Sequence, residues 1–223
     1  MVLSYSVVIP AYNAEATLTA TIGSVLAQSV PPARVIVVDD GSSDGTAGVA
    51  RGFGGIVELM MQSNAGPGAA TTRGLAMVDT PLTATIDADD LWTADKAKHQ
   101  IAYLQEHPGT AAVFTRIANF RHPTAEPDTA NAYDGWLRTT MMIRTQAAIA
   151  NGPVIDPAGG AGDMVDWLAR LRESGHETVM LTEILAFRRI HPGSLSDRSR
   201  NELGKSYMQV VRNTMLRRRN ASR

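Results

Sequence analysis

Short, unbroken apolar runs alternate with amphipathic stretches through the first half of the chain, and this alternation predicts most of its elements. Ser6 to Pro10 is an apolar run stopped by proline, which predicts a buried strand. Asn13 follows as a candidate helix cap, and Leu18, Ile22, Val25 and Leu26 fall on one helical face. Arg34 to Val38 predicts a second strand, β-branched throughout, as a parallel strand buried on both faces should be. Asp44 is placed to cap a short helix toward Arg51, and Ile56 to Met61 predicts a third strand. Pro67 stands in the first turn of a helix continued by Ala69 to Met77. Leu82 to Asp87 predicts a fourth strand, Thr93 a cap for a helix to about Glu106, and Ala111 to Thr115 a fifth strand. The pattern is that of an α/β fold, with a mostly parallel central sheet flanked by helices.

After Thr115 the rhythm changes. Ile117 to Asp134 is polar and carries His122-Pro123 and Glu126-Pro127, so it reads as a loop. Arg138 to Ile143 predicts a strand, Val154 to Gly162 a flexible loop, and Asp163 to Ser174 a helix. Thr178 to Ile190 is extended with a break near Thr182. Leu203, Tyr207, Val210, Val211 and Thr214 line one face of a last, basic helix. This divides the chain into residues 1–115, a second half over 116–190 of the same domain, and a basic segment over 191–223.

Composition narrows the chemistry. At 223 residues the chain is about one large domain. It has no cysteine, which excludes disulfide frameworks, thiolate nucleophiles and Cys-zinc sites. It has no apolar run of membrane-spanning length, and its opening residues lack a basic n-region, so a cytoplasmic protein without a signal peptide is expected. The net charge of −1 hides an acidic body and a tail of +8 from Phe187 onward. Three readings of that tail stand: a surface for anionic lipid at the inner membrane face, a contact with another subunit in a homo-oligomer, or a solvated helix face. Nucleic acid is not an expected partner, because the basic residues lack aromatic interleaving.

Parallel α/β sheets bind ligands at the carboxyl ends of their strands. The first predicted strand runs into Pro10-Ala11-Tyr12-Asn13 with no glycine, which counts against a dinucleotide site, and no GxxxxGK[ST] loop occurs. The second ends in Asp39-Asp40-Gly41-Ser42-Ser43-Asp44, where Asp39 could accept from a base N–H or a ribose hydroxyl. The fourth ends in Asp87-Ala88-Asp89-Asp90. In an extended segment Asp87 and Asp89 would face one point and Asp90 the other way. Two converging carboxylates suit Mg²⁺ or Mn²⁺ with substrate phosphates and water completing the shell.

Together these segments resemble the inverting glycosyltransferases of family 2, which have the GT-A fold. The resemblance rests on Val7 to Asn13 (VVIPAYN), Val38 to Thr46 (VDDGSSDGT), and Asp87 to Trp92 (DADDLW) followed by a helix. It implies a metal-dependent transfer, with inversion, from a nucleoside-diphosphate sugar to an acceptor hydroxyl, with a UDP-sugar the expected donor. Pro10, Ala11 and Tyr12 would then line the nucleobase pocket. Asp39 would bind the base, Asp87 would lie toward ribose and sugar, and Asp89 would hold Mn²⁺ or Mg²⁺. The family's NxGxxxARNxG segment corresponds to Asn64 to Gly74, with Thr71-Thr72 where the family has Arg-Asn. Arg73 therefore faces either the donor phosphates or solvent and sheet. Asp163 and Asp166 are the two candidates for the base that deprotonates the acceptor, with the register open between them. His191, closing Phe187-Arg188-Arg189-Ile190-His191, resembles a late family residue that returns to metal or diphosphate. Trp136 and Trp167 read either as acceptor-sugar platforms or as core. The acceptor, whether saccharide, lipid-linked, peptide or small molecule, is not written in the sequence. Two other functions remain open: a nucleotide-sugar-binding homologue without catalysis, and a protein acting through its basic tail on an anionic membrane or a partner.

Overall fold

The apolar runs become the middle of one sheet. In the computed structural model, which describes residues 3–121, 126–156 and 162–191 together with 212, 215 and 217, β1 (Tyr5–Ala11) pairs in parallel with β2 (Arg34–Asp39). β3 (Val57–Met61) lies parallel outside β2, and β4 (Leu82–Thr85) lies parallel on the other side of β1. Alternate residues explain why the runs are apolar throughout. Val7, Ile9, Val35 and Val37 pack with Leu18, Ile22 and Val25 of α1 (Leu18–Leu26). Val8, Ile36 and Val38 pack on the opposite face with Ala70 of α3 (Pro67–Leu75). The approach of α3 is close: a Cβ on Gly74 would sit 2.3 Å from Val8 Cγ1. A short helix, α2 (Thr46–Gly52), follows β2.

The second half adds antiparallel pairs. β6 (Thr110–Arg121) and β9 (Glu177–Ile190) run parallel, and β8 (Met142–Arg144) joins β4 to β6 antiparallel to both. β5 (Leu91–Trp92) pairs with β9, and β7 (Tyr133–Asp134) with β6. The order is β3-β2-β1-β4-β8-β6-β9-β5, with β7 branching from β6. The sheet is thus parallel across its first four strands and mixed beyond them. α4 (Lys96–Glu106), α5 (Thr145–Ala150) and α6 (Asp163–Glu173) complete the layers. Trp167 and Leu171 of α6 form a second core with Phe114, Met141 and Ile143.

Several elements depart from the sequence reading, each for a visible reason. Asn13 does not cap α1. Its backbone sits at φ 48°, a conformation Asn tolerates better than most residues, and its side chain accepts from Ser43 N at 2.9 Å. Thr93 does not cap α4, which begins at Lys96; the Thr93 N–H instead bonds Leu185 O at 3.1 Å. β6 continues through the polar stretch expected to be a loop. Pairing to β9 extends it to Arg121, and its polar side chains are used laterally, with Tyr133 Oη donating to Asn119 at 3.2 Å. Residues 138–140 form a 3₁₀ turn rather than the start of a strand, and α5 was not legible. β9 is irregular where the break near Thr182 falls: Phe114 pairs with Met180, but Arg116 pairs with Ile184. The expected last helix lies outside the described residues, apart from 212, 215 and 217.

One buried polar knot ties α4 to the sheet. The Gln100 amide donates at 2.8 Å to both Val113 O and Thr140 O and accepts at 2.8 Å from Lys96 Nζ. Lys96 is fully buried over the Trp92 ring, 4.0 Å from its centroid, and burial holds its pKa well below the usual lysine range. Gln100→Leu strands three buried polar groups and is expected to destabilise the fold by about 2–4 kcal/mol. Equilibrium urea unfolding measures this; a loss below about 0.5 kcal/mol, the scale of an ordinary surface substitution, would show that the knot carries no stability.

Candidate active site

The strand order reverses at β1. The chain lays β2 and β3 on one side and then crosses to β4 on the other, which makes the β1–β4 crevice the switch point where open α/β sheets bind ligands. Proline helps to open it. β1 pairs with β4 only through Val8, while its pairing with β2 continues through Pro10 and Ala11 to Asp39. Pro10 has no N–H to offer a neighbour, so it fits where β4 has already diverged.

The loops after β1 and β2 are laced together. Asn13 N donates to Ser42 Oγ at 2.9 Å, and Ala14 N to Thr46 Oγ1 at 2.7 Å. Gly41 turns the chain at φ 75°, where an added Cβ would lie 2.9 Å from Asn64 N. Pro10 and Ala11 are buried, whereas Tyr12 stands 54% exposed at the strand's end, which excludes a core role for it. Asp39 is 1% exposed. Its Oδ1 accepts from Ser42 N at 2.9 Å, but its buried Oδ2 has no hydrogen-bond partner among the described residues. Asp40, unassigned in the sequence reading, is structural: it accepts from Gln62 Nε2, Ala65 N and Gly66 N at 2.7–2.8 Å and so fixes the entry to α3.

Residues Asp87 to Asp90 form a turn closed by Asp90 N to Asp87 O at 3.1 Å, not the extended segment that alternation assumed. The turn still separates the carboxylates. Asp90 is buried and accepts from Arg189 N at 2.9 Å and from the Thr139 hydroxyl. Burial pushes its carboxyl well up, and the charges of Asp89 and Asp87 add to this. Asp89 lies 3.1 Å from His191 Nε2. Burial raises the Asp89 carboxyl and the Asp87 charge raises it further, against the pull of His191. α1 holds the turn from beneath, with the Thr17 and Thr21 hydroxyls each 2.9 Å from Ala88 O. β9 holds it from the side, with Arg189 Nε donating to Asp89 O at 2.7 Å.

These contacts bear on a divalent cation. A carboxylate raised by burial and by a like charge is stabilised by a cation beside it. The Asp89 carboxylate is a competent oxygen donor for Mn²⁺ or Mg²⁺, and the His191 nitrogen beside it suits the softer Mn²⁺ better than Mg²⁺. No cluster of three His, Cys, Asp or Glu side chains able to hold a metal occurs among the described residues. A cation here would therefore take its remaining ligands from diphosphate and water, the usual arrangement for Mg²⁺ at phosphate sites. The residues fit the group.

Across the crevice stands a residue the sequence reading missed. Arg138, 6% exposed, donates through Nη1 to Asp87 Oδ1 at 2.6 Å and through Nη2 to Asp163 Oδ2. Burial opposes its charge, but Asp163 and Asp87 more than offset this and hold its pKa above the usual arginine value. No sequence signal marks it: it stands between Leu137 and Thr139-Thr140. Asp163 opens α6 in the turn after Gly162, which adopts φ 94°. Asp166, one turn on, is engaged elsewhere. It accepts from Arg170 Nε at 3.0 Å and Arg217 Nη1 at 2.7 Å, and Arg170 also binds Asn151 O and Pro153 O. The structure joins Asp163, not Asp166, to the acidic turn.

Arg73 is exposed on α3 with Nε 2.8 Å from Met60 Sδ, and no described contact brings it to Asp39, Asp87 or Asp89. It lines an open groove of about 790 Å³ with Gln62, Ser63 and Pro153 to Asp156. The substitution at Thr71-Thr72 has a local meaning: Thr71 is buried, and Thr72 Oγ1 accepts from Val154 N at 2.9 Å. Asp156 accepts from Gly68 N and Ala69 N at 2.9 and 3.1 Å, so residues 154–156 are fastened to α3 twice. Trp167 is core, with Nε1 donating to Gly152 O at 3.0 Å, and Trp136 packs against Phe114 and the Arg172 guanidinium.

The fold is that of a GT-A-type glycosyltransferase. The same class emerges from comparison with known proteins. The family described as glycosyl transferase family 2 matches residues 6–165. The putative teichuronic acid biosynthesis glycosyltransferase TuaG of Bacillus subtilis is 29% identical over 208 residues, covering 86% of this chain and 81% of TuaG. The Escherichia coli enzyme WfaP, a UDP-Glc:alpha-D-GlcNAc-diphosphoundecaprenol beta-1,3-glucosyltransferase, is 26% identical over 89% of this chain and 82% of its own. The crystal structure of S. aureus TarS 1-349 in complex with UDP-GlcNAc superposes with a TM-score of 0.72 at 19% identity, over 88% of this chain and 62% of that one. The chain thus spans about three fifths of that solved fragment, and the likeness shows the shared fold. This chain belongs to glycosyl transferase family 2. No described helix is long and apolar enough to cross a membrane.

Proposed function

We propose that the protein is a metal-dependent inverting glycosyltransferase that moves a sugar from a UDP-linked donor to a hydroxyl of a growing surface saccharide. The observation that carries the donor reading is Asp39 Oδ2, a buried acceptor without a partner at the switch-point crevice. Such an oxygen is costly to leave unsatisfied, and a base N–H at that place satisfies it. Uracil, thymine and guanine offer a ring N–H; the corresponding ring nitrogen of cytosine is an acceptor. The saccharide reading is supported by the names of TuaG and WfaP, which match this chain over most of both lengths.

In this reading Tyr12 covers the base, and Asp87 lies toward ribose and sugar. Asp89 and His191 would hold Mn²⁺ or Mg²⁺, which when bound offsets the charge of the departing diphosphate. Asp163 accepts the proton of the acceptor hydroxyl as its oxygen attacks C1. The C1–O bond to the diphosphate breaks on the opposite face, the nucleotide leaves with that electron pair, and the anomeric centre inverts. Arg138 keeps positive charge between the two carboxylates while both are ionised.

A thermal-shift panel of UDP, GDP, dTDP and CDP, each with and without Mn²⁺, tests this, because a ligand bound only by the native state raises its stability. The expected result is a shift for UDP that grows with Mn²⁺, and none for CDP. Asp39→Asn should reverse the base preference by presenting an amide N–H to the cytosine acceptor. Equal shifts for UDP and CDP in the wild type would remove Asp39 from base recognition.

A further inference from the structure

A buried arginine between two carboxylates can be a mere strut or a part that sets the geometry of a reaction. For Arg138 the surroundings decide. Its backbone is pinned on consecutive residues by side chains from separate elements: Thr85 Oγ1 of β4 donates to Arg138 O at 2.7 Å, Trp92 Nε1 of β5 to Thr139 O at 2.7 Å, and Gln100 Nε2 of α4 to Thr140 O at 2.8 Å. The guanidinium therefore extends from a fixed base. One arm meets Asp87, which hangs from the donor-side turn; the other meets Asp163, the first residue of α6. Among the described residues Asp163 makes no direct hydrogen bond to residues 1–115; its link to them runs through Arg138.

We infer that Arg138 is a positioning residue for glycosyl transfer: its planar fork sets the Asp163 carboxylate at a fixed place relative to Asp87 and the sugar that Asp87 faces. This rests on the reading of Asp163 as the base and Asp87 as a donor group. A fork can hold two carboxylates in one geometry, whereas a lysine ammonium keeps the charge without the planar span. The charged groups facing Asp163 are Arg138, with Asp87 beyond it, and Asp156 from the segment before α6.

The experiment uses the full chain with Mn²⁺, UDP-glucose and UDP-GlcNAc as donors, and water as the acceptor. Calorimetric titration with UDP reads the donor site separately. Arg138→Met is expected to lower kcat at least tenfold while donor KM stays within about threefold, the signature of an interaction made for the transition state. Arg138→Lys should also lower kcat, because charge returns without the fork. Should Arg138→Met fail to fold, the kcat-to-KM split in Arg138→Lys decides. An unchanged kcat in Arg138→Lys would overturn the positioning role. So would a raised KM at constant kcat, which would make Arg138 a donor ligand. A wild type that neither binds UDP nor hydrolyses either donor would be a failure of the functional reading itself, seen before any variant is compared, and would take this inference with it.

Discussion

Asp163→Asn is expected to lower kcat by about 10²–10⁴-fold, the range that general base catalysis contributes. Donor KM and UDP binding should stay close to wild type, because the side chain is linked to residues 1–115 only through Arg138. The amide cannot take a proton from a hydroxyl, yet it keeps the shape of the carboxylate. Asp166→Asn is the paired control. It should leave kcat within a few fold and lower the melting temperature, since Asp166 anchors Arg170 and Arg217. Steady-state kinetics with a transferable acceptor, or donor hydrolysis in its absence, separates the two. A full kcat in Asp163→Asn combined with a collapse in Asp166→Asn would exchange their roles.

Asp89→Ala should be the most damaging change on the donor side. Loss of the carboxylate beside His191 removes the stronger of the two expected cation ligands. Turnover should fall by roughly 10³-fold or more, matching the several kcal/mol that a cation contributes to stabilising a phosphoryl leaving group. The specific sign is in binding rather than rate: UDP should still raise the melting temperature, but Mn²⁺ should no longer enlarge that rise. The same panel on His191→Ala should show a smaller loss. Undiminished Mn²⁺ dependence in Asp89→Ala would move the cation elsewhere.

What could be read from the sequence depended on where the partners lie. β1 and β2 were legible because both of their faces are apolar, and β3 and β4 because short runs with apolar residues end at turns carrying Gly, Pro or Asp. Tyr12, Asp39, Asp87 and Asp89 could be singled out because they end or follow strands at the carboxyl edge of the sheet, where such folds place ligands. The extension of β6 was hidden, since its polar residues are ordered by β9, more than sixty positions away. Arg138 was hidden for the same reason: nothing near it in sequence marks it, and its carboxylate partners stand 51 and 25 residues away. The DADD alternation failed because a turn, held by threonines of α1, replaced the strand that the argument required. Thr71-Thr72 looked like a defect in the family segment. In three dimensions Thr72 is the point where residues 154–156 fasten to α3.

The contacts of β9 with the acidic turn also order events in time. Arg189 Nε reaches Asp89 O across 100 positions of sequence, and His191 reaches the Asp89 carboxylate across 102. At roughly 5–20 residues per second, a ribosome delivers that last strand about 5–20 s after the turn it completes. During that interval β1 to β4 can pair with one another, with β8 joining β4 later, but Asp89 has neither its imidazole nor the backbone grip of Arg189. Such long-range closures are slow steps of folding. The nascent protein thus assembles the loops after β1 and β2 well before β9 closes on the acidic turn, and a stalled chain would carry the first without the second.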